Sequence, residues 1–280
     1  MNTVQQLIPK LFQNVQEKCP VIESITNVVT VNDCANIVLA SGGSPTMADH
    51  KEEVEEIQAG CDGLVLNIGN ISPMQQEAMI KAGKVANQYG HSIVLDPVGA
   101  GASTMRNEAV KRLLSELNIQ VIRGNISEIK AVAQGSSNTR GVDANPLDLV
   151  NEHNLEETIE FAKKLSKEKN CIIAISGAVD IVTDGERTYL IRNGHAMMAK
   201  VTGTGCMVTH VIDVFLSVNQ HTPLEAVVAA IAAYAYSGEL AYERTKKEDG
   251  GTSMFRMYLI DFMSKMTADC LLGGMKIEER

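Results

Sequence analysis

The sequence predicts an α/β fold in which a mostly parallel central sheet lies between two layers of helices. Short β-branched runs alternate with longer helical patterns: the runs cover 63–68, 92–96, 119–122 and 171–175, and the helical patterns cover 73–89, 104–117, 125–134 and 155–169. Continuous apolar strands, each followed by a helix, are typical of a parallel sheet that is buried on both faces. The predicted class is therefore a three-layer α/β/α sandwich.

The two ends of the chain add helices, and the middle adds a hairpin. Apolar residues near the N-terminus recur with helical spacing and predict an amphipathic helix: Val4, Leu7, Ile8, Leu11, Phe12 and Val15. The segments 179–183 and 188–192 flank a polar turn and predict an antiparallel hairpin at the sheet edge. After residue 200 we expect three helices, at about 205–218, 223–244 and 254–266, and no further strand. The sheet is thus expected to be mixed.

Composition indicates a single globular domain that covers residues 1–280. The chain has 45% apolar and 21% charged residues, and it contains no low-complexity tract and no stretch typical of a linker. Its net charge of −9 argues against a broad surface for nucleic acid or for an anionic membrane, because both attract positively charged proteins. We therefore expect no nucleic-acid partner and no membrane partner.

Cysteine usage and hydropathy favour a cytoplasmic location. The six cysteines are scattered, without the CxxC pairs of a zinc site or the dense pattern of a small secreted protein. The N-terminal segment is amphipathic, whereas a signal peptide has an uninterrupted apolar core. The longest uncharged stretch, between Glu225 and Glu239, is shorter than the roughly 18 to 20 apolar residues that cross a bilayer. We expect no membrane-spanning segment.

Polar or glycine-rich residues follow the predicted strands, where open α/β sheets bind their ligands. The informative side chains at these positions are Asn67, Asp96, Arg123, Asn125, Glu128 and Ser176. Singly, each can be explained as part of a turn or as a helix cap. Because the carboxyl ends of parallel strands share one edge of the sheet, these residues together predict a binding site.

The segment 201–206, Val-Thr-Gly-Thr-Gly-Cys, is a glycine-rich turn that enters an apolar helix. Glycines let the backbone approach a ligand, and the free amides at the positive end of a helix attract an anion. A phosphoryl group in transfer carries such charge, so Gly203, Thr204 and Gly205 are candidates for an anion-binding loop. The loop lacks the Lys-Ser/Thr ending of a Walker A motif and the GxGxxG spacing of a dinucleotide fold. An ordinary turn before a core helix is the alternative.

Cys206 stands at the N-terminus of that predicted helix. A helix dipole lowers the pKa of a thiol at this position, so we expect a thiolate that could accept a proton. The alternative is a small buried hydrophobic residue, which is how most free cysteines behave and how we interpret the other five.

Six motifs in this sequence resemble those of the hydroxyethylthiazole kinase family, which is part of the ribokinase-like superfamily. They are SPTMADHKEEVEE (44–56), LNIGN (66–70), VLDPVGAGAS (94–103), RGNISEI (123–129), AISGAVDIVTDG (174–185) and VTGTGC (201–206). The resemblance runs in order from about residue 20 to 265. It implies a ribokinase-like α/β/α sandwich and an enzyme that uses ATP and Mg²⁺ to phosphorylate 4-methyl-5-(2-hydroxyethyl)thiazole in thiamine salvage.

The resemblance also implies a role for individual positions. It implies that residues 203–206 form the anion hole, with Cys206 beside the substrate hydroxyl, where most ribokinase-like sugar kinases hold an aspartate base. It further implies metal contacts at Asp96 and Glu128, ATP contacts at Arg123, Asn125 and Ser176, and substrate contacts at Met47, Gly203, Asn27 and Asn67. Finally, it implies a homotrimer whose substrate pocket lies between neighbouring subunits.

Some of these roles have structural alternatives. Glu128 could be a first-turn acid stabilised by the helix dipole, Arg123 a solvated turn residue, and Met47 part of the core. Two departures from the family pattern are Thr204 in the anion loop and the stretch 250–255, where relatives often read GPGSF.

Three other functions remain open at this point. The first is a kinase of the same fold that acts on hydroxymethylpyrimidine or on a sugar, although Cys206 at the usual aspartate position argues against a sugar. The second is a binding protein without turnover, against which the retained Asp96, Glu128 and Arg123 argue. The third is an ATP-dependent dehydratase, which fold alone does not exclude.

Overall fold

The computed structural model describes residues 3–134, 150 and 154–280, which form a nine-stranded sheet with helices on both faces. The strands are β1 (Val21–Ile25), β2 (Ser44–Thr46), β3 (Gly63–Asn67), β4 (Ser92–Asp96), β5 (Val121–Asn125), β6 (Ile172–Ser176), β7 (Asp180–Thr183), β8 (Thr188–Ile191) and β9 (Ile277–Glu279). The α-helices are α1 (Thr3–Lys18), α2 (Val31–Ala40), α3 (Val54–Ala59), α4 (Pro73–Tyr89), α5 (Thr104–Glu116), α6 (Ile126–Gln134), α7 (Leu155–Lys169), α8 (Thr204–Ser217), α9 (Pro223–Lys247), α10 (Thr252–Ser264) and α11 (Ala268–Gly274). A short 3₁₀ helix covers Ala196–Lys200.

The sheet is mixed, as the sequence predicts. Its strand order is β2-β1-β3-β4-β5-β6-β7-β8-β9. The strands from β2 to β6 run parallel, whereas β7, β8 and β9 are antiparallel to their neighbours. Because β2, β1, β3, β4, β5 and β6 run in the same direction, their carboxyl ends lie along one edge of the sheet. At that edge, Asn67 of β3 lies directly opposite Asp96 of β4.

Each face of the sheet is covered by its own hydrophobic core, which confirms the three-layer class. Along β3, Leu64 and Leu66 point into the core formed with α3 to α7, whereas Val65 points into the core formed with α1, α2 and α8 to α10. All three side chains are fully buried. Burial of one such side chain stabilises a fold by about 1.5–3 kcal/mol. This burial on both faces explains why the parallel strands are continuous apolar runs.

Helix α9 is rich in alanine and lies in a core, as its small side chains predict. Ala226, Ala229 and Ala230 are fully buried, and the helix packs against α8 and α10. Within the described residues, α9 is long and apolar enough to cross a membrane by length and composition, but 83% of its most apolar window is buried inside the fold. Such burial is typical of the core helix of a globular protein.

The predicted elements and the observed ones agree best where an amphipathic pattern is long. Helix 73–89 coincides with α4, and the predictions for α5 and α7 agree within one residue. The strand predicted at 119–122 instead begins at Val121 and extends to Asn125, because its pairing is set by β4 and β6. No element is predicted between residues 19 and 62, where Glu23 and Ser24 interrupt the apolar pattern of β1 and β2 has only three residues.

Two predictions for the far end of the sheet are wrong. A strand does follow residue 200, because Ile277–Glu279 pairs with β8 as β9, and the hairpin β7–β8 is consequently not the sheet edge. This three-residue segment is charged and partly exposed, so it lacks the apolar pattern that identifies a strand. Backbone hydrogen bonds to β8 make it a strand: Arg280 N donates to Thr188 O over 2.8 Å.

Candidate active site

The candidate active site lies at the carboxyl ends of the parallel strands, where the N-terminus of α8 meets the sheet. Asn67, Asp96 and Ser176 are the last residues of β3, β4 and β6. Asn27 lies two residues beyond the end of β1, and Arg123 is the third of the five residues of β5. This confirms that the polar residues after separate strands come together at one edge.

Cys206, in the first turn of α8, is hydrogen-bonded to two asparagine side chains. Its Sγ atom accepts from Asn27 Nδ2 over 3.3 Å and from Asn67 Nδ2 over 3.2 Å. The thiol is nine-tenths buried. Burial, followed by the nearby charge of Asp96, raises the pKa of Cys206 to about 12. The expectation of a lowered pKa is therefore wrong in this structure, because burial removes the thiol from solvent.

Asp96 is fully buried and forms the centre of the hydrogen-bond network. Its Oδ2 atom accepts from Asn67 Nδ2 over 2.9 Å and from Thr209 Oγ1 over 2.8 Å, and it lies 3.9 Å from the Arg123 guanidinium. Burial raises the pKa of Asp96, while Arg123 and the hydrogen bonds oppose that rise. Its Oδ1 atom has no hydrogen-bond partner among the described residues. One carboxylate oxygen is therefore oriented by the protein, and the other is available to a ligand.

Glu128 is held by backbone amides on both of its carboxylate oxygens. Oε1 accepts from Gly99 N over 2.9 Å, and Oε2 accepts from Asn125 N over 2.8 Å. Because Asn125 Oδ1 in turn accepts from Glu128 N, the two residues form a reciprocal cap at the start of α6. Burial, followed by the charge of Asp96, raises the pKa of Glu128 to about 7. The interpretation of Glu128 as an acid in the first turn of a helix is thus confirmed.

The glycine loop before α8 has the geometry of an anion-binding loop. Gly203 is the N-cap of α8 and has a positive φ of 88°. A Cβ atom at Gly205 would lie 2.9 Å from Arg123 Nη1, so a glycine lets the guanidinium approach the backbone closely. The amides of the first helical turn lack acceptors within the helix and can bind an anion. Thr204 supports the loop, because its Oγ1 donates to Met198 O over 3.0 Å.

A cavity of about 660 Å³ adjoins this loop. Its lining includes Arg123, Ser176, His195 and Gly205. Arg123 Nη2 donates to Ser176 Oγ over 2.6 Å, which fixes the guanidinium beside the loop. The His195 ring stacks on Tyr242 with ring centres 3.5 Å apart. The cavity lining therefore includes a guanidinium and an aromatic ring that is held in place by stacking.

Met47 lies apart from the other predicted site residues, at the edge of the sheet. It directly follows the edge strand β2 and is half-buried. It is not among the side chains that are hydrogen-bonded to Cys206. Because β2 pairs only with β1 at the end of the sheet, Met47 lies near the sheet edge.

Sequence reasoning missed two threonines that organise the site. Thr209 donates to Asp96, and Thr30 donates its Oγ1 hydrogen to Asn27 Oδ1 over 3.1 Å. The position of Thr209 could have been inferred, because it lies three residues after Cys206 and therefore shares its helix face. Thr30 lies in a turn, and the sequence contains no signal for its contact with Asn27.

The sheet and the glycine loop at the start of α8 define a ribokinase-like fold. The pyridoxal kinase from Staphylococcus aureus, solved in complex with ADP, has this fold: it matches with a TM-score of 0.55 over 78% of this chain and 88% of that chain. At 16% sequence identity, the likeness shows the fold alone.

More similar proteins narrow this class to one family. The family described as "HK: Hydroxyethylthiazole kinase family" matches residues 12–269. Hydroxyethylthiazole kinase of Clostridium acetobutylicum is 47% identical over 272 residues, which are 97% of this chain and 99% of that protein. The structure of the hydroxyethylthiazole kinase protein from Pyrococcus horikoshii OT3 matches with a TM-score of 0.86 at 34% identity, covering 98% of this chain and 99% of that chain. The chain belongs to the hydroxyethylthiazole kinase family, which confirms the resemblance of the six motifs.

Proposed function

We propose that this protein transfers the γ-phosphate of ATP to the hydroxyl group of 4-methyl-5-(2-hydroxyethyl)thiazole, as a step of thiamine salvage. The observation that carries the proposal is the position of Cys206 between the anion loop and the two asparagines. Family membership supports the thiazole alcohol over hydroxymethylpyrimidine, over a sugar and over a dehydratase reaction.

ATP is proposed to bind in the cavity beside Arg123 and Ser176. A guanidinium can hold phosphate oxygens through paired hydrogen bonds, and the amides of the glycine loop stabilise negative charge that develops during transfer. Asn125, which the sequence also assigned to ATP, caps α6 through its Oδ1 atom. We therefore propose that Asn125 acts on the nucleotide by orienting Glu128.

The substrate is proposed to bind on the other side of the loop, against Asn27, Cys206 and Gly203, with Met47 at its outer flank. Because burial raises the pKa of Cys206 to about 12, the thiol is neutral near pH 7. A loose phosphoryl-transfer transition state places little demand on a base. Cys206 is accordingly proposed to orient the substrate hydroxyl, with Asn27 and Asn67 holding the sulfur in place.

The carboxylates of the site fit a hydrated Mg²⁺ ion. Within the described residues, no cluster of three or more His, Cys, Asp or Glu side chains could hold a metal, whereas Asp96 has an unpartnered buried oxygen. Mg²⁺ typically keeps several waters and uses one or two carboxylates together with substrate phosphates. Asp96 and Glu128 would hold it, and it would neutralise charge on the phosphate oxygens. Their raised pKa values fit carboxylates that gain a cationic partner when the site is complete.

The remaining expectations concern assembly and location. We propose that the chain is a single domain, that it acts in the cytoplasm, and that it forms a homotrimer whose subunits share the substrate pocket. Val28 and Val29, which follow Asn27, are 66% and 69% exposed, and a second subunit would cover them. Light scattering should give the mass of a trimer, and Val29→Asp should lower that mass. A monomeric wild-type protein would reject the shared pocket.

The proposed reaction is tested by offering hydroxyethylthiazole and hydroxymethylpyrimidine together with ATP and Mg²⁺, followed by mass spectrometry. A phosphate on the thiazole alcohol alone is the expected result. A phosphate on the pyrimidine would move the substrate assignment and keep the class of enzyme. Modification of neither compound would reject the kinase proposal in favour of a binding protein or a dehydratase.

A further inference from the structure

Arg106, on α5, connects two chain segments that carry the candidate active site. Its Nη1 atom donates to Ile68 O over 2.9 Å and to Val98 O over 2.5 Å, and its Nη2 atom donates to Gly69 O over 2.6 Å. Ile68 and Gly69 directly follow β3, and Val98 follows β4. Within the described residues, no carboxylate lies within ion-pair distance of Arg106. The guanidinium therefore interacts with three backbone carbonyl groups from two separate loops.

Each of these two loops ends in a contact with the site. The loop after β3 follows Asn67, whose Oδ1 accepts from Gly69 N over 2.9 Å and whose Nδ2 donates to both Asp96 and Cys206. The loop after β4 carries Gly99, whose amide donates to Glu128 Oε1. A shift of either loop would consequently move a group that orients the thiol or the carboxylates.

The loop after β4 is shaped to fit the guanidinium. Gly99 has a positive φ of 70°, and a Cβ atom there would lie 3.0 Å from Arg106 Nη1. The next residue of α5 supports the same loop, because Asn107 Oδ1 accepts from Gly101 N over 2.7 Å. Arg106 and Asn107 thus both bond to the loop after β4. Of these two residues, Arg106 also bonds to the loop after β3.

We propose that Arg106 is a positioning residue of the active site, which fixes the loops after β3 and β4 relative to each other through its bonds to Ile68, Gly69 and Val98. The inference rests on the proposed function for its catalytic consequence. A planar guanidinium presents several N–H donors in a rigid fork, whereas a lysine ammonium is a single point of contact on a flexible stem. Lysine at this position should therefore restore only part of the effect.

The test measures the loops directly and the reaction separately. Hydrogen exchange of the free enzyme is compared for wild type, Arg106→Lys and Arg106→Met, with peptides that cover residues 67–71 and 96–102. Both peptides should exchange about tenfold faster in Arg106→Met, with Arg106→Lys between it and wild type, because the amides of these loops lose a fixed framework. Peptides from α9 should be unchanged.

Steady-state kinetics then test the catalytic consequence. A displacement of about 1 Å at a reacting group can lower a rate about 100-fold, so Arg106→Met should lower kcat/KM for the thiazole alcohol by about 10- to 100-fold. The Mg²⁺ concentration for half-maximal rate should rise, while ADP affinity without Mg²⁺ should stay within about twofold, because Arg106 does not line the cavity. Guanidinium ion, added below the concentration that lowers the unfolding temperature, should partly restore Arg106→Ala.

Arg112→Met is the matched control. Arg112 lies on the same helix, and among the described residues its side chain pairs with Glu116 at the protein surface. Its replacement should change neither exchange nor kinetics. Wild-type exchange in both loops of Arg106→Met, or faster exchange spread over the whole sheet, would overturn the inference. If Arg106→Met fails to fold, Arg106→Lys decides by the same criteria. Wild-type enzyme that does not phosphorylate the thiazole alcohol would reject the proposed function, and the exchange data would still decide the role of Arg106.

Discussion

Gly203→Ala is the substitution that tests the geometry of the anion loop most directly. Gly203 has a φ of 88°, a region that side chains with a Cβ rarely adopt. The added Cβ would lie 2.7 Å from Thr30 Cγ2, which is closer than van der Waals contact allows. Thr30 donates to Asn27, which in turn donates to Cys206. The perturbation therefore combines backbone strain with a displacement that reaches the thiol.

The expected loss of stability is the sum of two contributions. A left-handed conformation costs a residue with a Cβ about 1–2 kcal/mol. Overpacking against a buried neighbour costs about 1–3 kcal/mol more. We expect Gly203→Ala to lower the free energy of unfolding by about 2–5 kcal/mol. In a chain of this size, each kcal/mol lowers the unfolding temperature by roughly 2–4 °C. Turnover should fall by more than ATP affinity.

Gly90→Ala separates the two contributions. Gly90, the C-cap of α4, has a similar φ of 73°, but a Cβ there would meet no atom within 4 Å. Urea unfolding should therefore show the backbone contribution alone, about 1–2 kcal/mol, with wild-type kinetics. The difference between the two variants measures the contact with Thr30.

A double variant tests that contact. Thr30→Ser removes Cγ2 and keeps the hydroxyl group that bonds to Asn27. It should recover part of the stability and turnover that Gly203→Ala loses, and the coupling between the two sites should be about 0.5–3 kcal/mol. Equal stability of Gly203→Ala and Gly90→Ala, together with no coupling to Thr30→Ser, would refute the steric argument.

Five further substitutions test the site and the core. Cys206→Ala should lower kcat more than it raises the KM for ATP, and an unchanged kcat would reject any role of the thiol in turnover. Asp96→Ala and Glu128→Ala should weaken the dependence of the rate on Mg²⁺, and a wild-type metal titration would contradict the proposed site. Arg123→Lys should raise the KM for ATP about tenfold, because the paired hydrogen bonds to phosphate are lost, and an unchanged KM would place the nucleotide elsewhere. Burial, followed by the charge of Glu53, raises the pKa of Glu23 from 4.5 to about 8, so the folded state keeps a proton that the unfolded chain releases. The stability of wild type relative to Glu23→Gln should consequently fall as pH rises from about 4.5 to 8, and parallel unfolding curves across that range would show that Glu23 is not held protonated.

The parts of the fold that the sequence predicts are those with a local cause. Helices α4, α5 and α7 have amphipathic patterns over three or more turns, and their limits agree with the structure within one residue. Strands β3 and β4 are apolar because they are buried on both faces. Strands β1, β2 and β9 were missed because none of them has a continuous apolar run, and pairing with a neighbouring strand identifies them.

The candidate site shows the same division. Glycines before a helix and polar residues after strands are local signals, and they identified Cys206, Asp96 and Arg123 correctly as neighbours. The pKa of Cys206 was predicted in the wrong direction, because the sequence gives the helix position but not the burial. Asn67 is hydrogen-bonded to both Cys206 and Asp96, and Cys206 is more than 100 residues away in the sequence. These bonds depend on side-chain positions that the sequence does not show.

The amino-acid sequence by itself determined the class of fold, the edge of the sheet where the candidate site lies and the family. These follow from periodicity, from turn chemistry and from motifs in order, all of which are written locally along the chain. Only the tertiary structure decided which oxygen of Asp96 is free, how deeply Cys206 is buried and that Arg106 joins two loops. The physical reason is that solvation and hydrogen bonding depend on the distances between groups that are remote in sequence, and those distances exist only after the chain has folded.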